Sequence, residues 1–121
     1  MLLEPVHMPD PLEGERPIEL RPTLGIWLAL EKAHGGCIGA IYFDARLGRH
    51  RLDVVIDLVH RCAREGGSSL TWSQIGERVH RLGLYRMHDL VLELFRDLYP
   101  PTPAAEDAKP EGDGIPLAGG A

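Results

Sequence analysis

Six histidines and two cysteines are the side chains of this 121-residue chain best suited to metal binding or nucleophilic chemistry. A zinc site needs ligands that spacing brings to one point, as in HExxH on a helix or paired CxxC, and neither spacing occurs. His60 and Cys62 stand two apart, so on a helix they point in different directions. The histidines therefore read as surface residues, with no metal and no other cofactor expected. Nucleophilic catalysis needs a thiol or hydroxyl beside a base that a third group holds. Cys37 could meet a histidine in space, but the chain has no Gly-x-Ser-x-Gly elbow and no glycine loop able to cradle phosphate. The pairs Gly35-Gly36 and Gly66-Gly67 fall at helix ends, where a left-handed backbone accounts for them. Cys37 and Cys62, with 24 residues between them, read as reduced, buried thiols. No enzymatic activity is expected.

Basic residues cluster at Arg46, Arg49, Arg51, Arg61 and Arg64, joined by His50 and His60. The run SSLTWSQIGERVHRLGLYRMHDLVLELFRDL can be drawn as helix, turn, helix, which raises a small DNA-binding regulator as one reading. A recognition helix must offer basic and amide groups to base edges. The segment 84–98 instead sets Asp89, Glu93 and Asp97 against Arg86 and Arg96, and would repel phosphate about as much as attract it. The net charge is −5, with −3 in residues 1–14, −3 in residues 100–121 and +1 between them. That balance argues against a nucleic-acid partner, whose binding would have to displace counterions.

Helices must position whatever this chain uses. Prolines at 5, 9, 11, 17 and 22 keep residues 1–21 as an extended arm, with space for one short strand around Ile18 to Leu20. Thr23 caps a helix running to about His34, stopped by Gly35-Gly36. The stretch CIGAIYFDARLG is short enough for helix or strand; Ala40, Ile41 and Asp44 at helical spacing and a stop at Gly48 favour helix. Residues 51–65 form an amphipathic helix with Leu52, Val55, Ile56, Val59 and Ala63 on one stripe. Thr71-x-x-Gln74 has the form of a capping box, opening a helix with Trp72, Ile75, Val79 and Leu82 on its buried face until Gly83. Leu84, Met87, Val91, Leu94, Phe95 and Leu98 stripe a fifth helix, ended by Tyr99-Pro100-Pro101. Residues 100–121 carry too little apolar surface to offset chain entropy and read as a disordered acidic tail. The expected fold is all-α: a bundle of four to five short helices over residues 22–99, behind the arm and ahead of the tail.

The opening helix is apolar almost all round, through Leu24, Ile26, Trp27, Leu28, Leu30 and Ala33. Such a helix is either central in the core or shared with another chain. A core of under a hundred residues is marginal alone, so a homo-oligomer or a partner chain would add stability. The N-terminal stretch MLLEPVHMPDPLEGE lacks the basic and apolar regions of a signal peptide, and no apolar run reaches the roughly 18 residues a membrane span needs. A cytoplasmic protein with no membrane partner is expected.

With those residues in view, the chain resembles the small tail proteins of gene transfer agents and tailed phages, a family described both as tail assembly chaperones and as gene-transfer-agent tail tube proteins. The resemblance runs over residues 15–99. It rests on Leu20-Arg21-Pro22-Thr23-Leu24-Gly25 through Leu30-Glu31, a central amphipathic helix, a Gly-Gly turn, the Leu70-Thr71-Trp72-x-x-Ile75-Gly76 helix start, and a last helix introduced by Gly83-Leu84. Family members commonly open with a short strand pair; here Gly14-Glu15 leads directly into Arg16 to Leu20, where one strand at most is expected. A tube subunit would be rich in β-structure, so the helical reading favours the chaperone. The resemblance implies a non-enzymatic protein of the host bacterial cytoplasm that binds the tape measure or other tail proteins. Leu24, Trp27, Leu28 and Trp72 are the expected partner contacts. The alternatives are a tube, terminator or connector subunit retained in the particle, and the DNA-binding regulator above.

Overall fold

The structure is a computed structural model, and it describes residues 6–9 and 16–100. The acidic tail and much of the arm lie outside the described residues. Strand β1 (Val6–His7) pairs antiparallel with β2 (Glu19–Leu20), Val6 opposite Leu20 and His7 opposite Glu19. The ladder is extended by Met8 N donating to Ile18 O at 2.9 Å. This corrects two expectations, since the arm contributes two strands and is not separate from the domain: Met8, Ile18 and Leu20 are buried in the common core. Pro9 and Pro17 sit just past the Met8–Ile18 contact, so neither takes a donor from the ladder.

Five helices follow, and the fold is all-α apart from the strand pair: α1 (Leu24–His34), α2 (Ile38–Arg46), α3 (Leu52–Glu65), α4 (Trp72–Leu82) and α5 (Leu84–Phe95). Thr23 caps α1 through its side-chain oxygen, which accepts from Ile26 N, and Gly35 ends the helix at φ 67°. Cys37 offers α2 no side-chain cap; the Glu31 carboxylate does so from α1, accepting from Ile38 N at 2.7 Å. A carboxylate there meets both an orphan N–H and the positive end of the helix. At α4 both halves of the capping box form, Thr71 Oγ1 accepting from Gln74 N and Gln74 Oε1 from Thr71 N. Gly83 alone joins α4 to α5, at φ 88° and ψ 149°, a conformation essentially reserved for glycine.

Helix α3 is the hub, packing on α1, α4, α5 and β2. Its buried face includes Leu58 and Cys62 beside Val55, Ile56, Val59 and Ala63. Leu52, expected on that face, is half exposed, and so is Trp72 at the start of α4. Segment α2 is a helix, as the spacing of Ala40, Ile41 and Asp44 led one to expect; it packs through Ala45, with Ile38, Ile41 and Tyr42 partly buried, while Ala40 and Asp44 are exposed. Strand β2 crosses the end of α3 so closely that Arg21 N donates to Cys62 O at 3.0 Å. A methyl group at Gly66 would overlap Glu19 O. Gly66 is therefore set by close approach at φ −82°, and only Gly67 of that pair, at φ 100°, by a left-handed backbone.

Candidate functional site

Helix α1 divides its apolar residues between two faces. Ile26, Trp27 and Leu30 are buried, while Leu24 and Leu28, four apart and so on one side, are 69% and 56% exposed. Trp27 stacks on Phe95 at a centroid distance of 4.8 Å, and its Nε1 donates to Asp97 Oδ2 at 2.9 Å. At 2% exposure it belongs to this chain's own core and is withdrawn from any partner. Of the other expected contacts, Leu24, Leu28 and Trp72 face outward, Trp72 on the separate helix α4.

On the neighbouring helix, Phe43 and Leu47 repeat the pattern: four apart, and 61% and 50% exposed. The opposite side of α2 is held down by Tyr42, which stacks on Tyr99 at 3.9 Å with planes 7° apart and leans on Phe95 at 5.2 Å. Since α1 and α2 pack against each other, both outward apolar pairs belong to one helix hairpin. Sequence reasoning missed Phe43 and Leu47, because the stretch was read only for helix against strand and no exposed face was assigned to it; the i,i+4 spacing of two large apolar residues was the available signal.

A cleft of about 150 Å³ opens between α2, α3 and α5. Ile41, Ala45, Val55, Leu58, Val91 and Phe95 supply its apolar wall, and His34, Asp44, Arg49, His50 and Arg51 its polar one. His34 is fixed there, its Nε2 donating to Asp57 Oδ2 at 2.9 Å, while Asp57 Oδ1 accepts from Arg61 Nε at 2.9 Å. This ties α1 to α3 and occupies the carboxylate with two partners. His50 in turn meets His88 of α5 across 2.8 Å.

Burial, with smaller effects of Asp97 and Glu65, pushes the Cys62 thiol up to about 12, so no thiolate forms there near neutral pH. Cys37, expected to be buried, is exposed at the start of α2, and no hydrogen bond joins it to a histidine among the described residues. No cluster of three or more histidine, cysteine, aspartate or glutamate side chains could hold a metal ion among the described residues. None of the described helices is long and apolar enough to cross a membrane. No protein-family model, curated protein or solved structure matches the chain.

Proposed function

We propose that this chain is a non-enzymatic assembly chaperone of a phage-like tail, binding an amphipathic helix of the tape measure protein in the cytoplasm during tail morphogenesis. The observation that carries this reading is the pair of outward apolar rows, Leu24 with Leu28 and Phe43 with Leu47, on the α1–α2 hairpin. A client helix presenting residues at i, i+3, i+4 and i+7 could cover such rows. Fully burying a large apolar side chain contributes roughly 1.5–3 kcal/mol, and these four begin about half buried or less, so several kcal/mol remain available to a partner. The strand pair ahead of α1 fits the opening common to the tail family that the chain resembles, and the helical remainder favours its chaperone side over its tube side.

Purified particles test the reading against a structural tail subunit. The chaperone is expected in the producing cell in complex with a long helical tail protein and missing from finished particles. Its retention there at fixed stoichiometry, with tube or connector subunits as its partners, would make the same rows a permanent subunit interface instead.

A further inference from the structure

His50 lies in the segment between α2 and α3, and its Nε2 stands 2.8 Å from Nδ1 of His88 on α5, with the rings edge to face at 5.0 Å. At that separation one proton lies between the two nitrogens: one ring donates its N–H and the other accepts on a lone pair. His50 lines both the cleft and a second hollow formed with Gly48, Leu84, Tyr85 and His88. We propose that the His50–His88 pair is an acid-released latch that ties the 47–51 segment to α5 and holds the cleft at its resting width.

The latch follows from counting protons. With both rings neutral the bond stands. With one proton added, an imidazolium donates to a neutral imidazole and the bond is charge-assisted. With two, both facing nitrogens carry hydrogen and like charge, and the contact has to part. Double protonation is therefore the state that opens the contact. Burial first, and the charge of His88 second, hold His50 below the ordinary imidazole range. Since the closed state takes protons on His50 less readily than a freed ring does, closure is complete above that range and is lost as pH falls through and below it.

Other titratable and charged groups stand around the pair. Arg49 and Arg51 stand in the same segment, Arg51 bound to Asp53 at 2.8 Å. From α1 the cleft receives His34, already held by Asp57; from α2, Asp44, the one carboxylate in its lining; from α5, the hollow receives Tyr85. Once released, the segment no longer braces α5, whose Val91 and Phe95 form part of the cleft wall. The latch is independent of which protein the outer rows bind.

The test is a histidine-ring NMR titration of the full chain from about pH 8 down to about pH 4.5, a span set by the ordinary imidazole range, with amide exchange followed over residues 87–91. The expected result is two coupled steps, the second accompanied by about a tenfold or larger loss of protection in α5, the ratio that one pKa unit represents. In His88→Gln, His50 is expected to titrate in a single step with no linked change in protection. Two rings that titrate independently in the native chain, or a second step that leaves α5 protection unchanged, would overturn the latch. The native titration decides the matter, and His50→Gln reads the same coupling from the other side should His88→Gln fail to fold.

Discussion

Trp27 carries the clearest lesson at the scale of single residues. Its type and place in an apolar helix made it a natural partner contact, yet its ring is stacked on Phe95 and its N–H is given to Asp97. Replacing it with glutamate would bury an unpaired charge and leave a cavity, and large-to-small core changes alone cost about 3–5 kcal/mol for tryptophan. Trp27→Glu is therefore expected to abolish the cooperative thermal transition, whereas a folded variant with an altered association state would return Trp27 to the surface. The cysteines separate in the same way. Cys37 is expected to be alkylated at once under native conditions and Cys62 only after denaturation, which mass spectrometry of the labelled chain reads directly. Because the raised Cys62 value favours the protonated form in the fold, its contribution to stability is complete below the unfolded thiol's pKa and declines as pH rises above it.

At the scale of elements, caps and stops were legible because their partners lie three or four residues apart. Thr23, Gly35 and the Thr71–Gln74 box all stand where their side chains place them. Thr71→Ala is expected to lower stability by about 1 kcal/mol, seen as a reduced midpoint in urea with an unchanged slope. What the pattern could not supply is how far a neighbour reaches along a helix. Leu52, Trp72 and Leu84 were each set on a buried face, and each is the first residue of its helix, projecting past the elements that cover the rest of the stripe. The strand pair was hidden for a different reason: its partners are about thirteen positions apart among prolines, and Met8 and Leu20 are buried only because β1 packs on α5 and β2 on α3. Gly66 records that docking. Gly66→Ala is expected to cost roughly 1–3 kcal/mol by forcing β2 off the end of α3, measured as a fall in melting temperature, while the same change at the open Gly36 position is expected to do little.

For the whole molecule, helical class and helix order followed from periodicity, while the candidate site did not follow as a unit. Leu24 and Leu28 were recognised as part of a helix with more apolar surface than a small core needs, but Phe43 and Leu47 join them only through the packing of α1 on α2. The His50–His88 contact spans 38 positions and has no local signature at all. The central claim is that the outward rows of the α1–α2 hairpin hold a long helical tail protein. Its most direct test compares capture by the native chain and by a Leu24→Asp, Leu28→Asp double variant in the producing cell, after circular dichroism has established that the variant keeps its helices and its melting temperature. The native chain is expected to retain a very long, helix-rich tail protein and the variant to lose it by at least about tenfold, as removal of some 1.4 kcal/mol or more of contact free energy requires. Equal capture of that protein by both chains, or its absence from the native complex, would contradict the account.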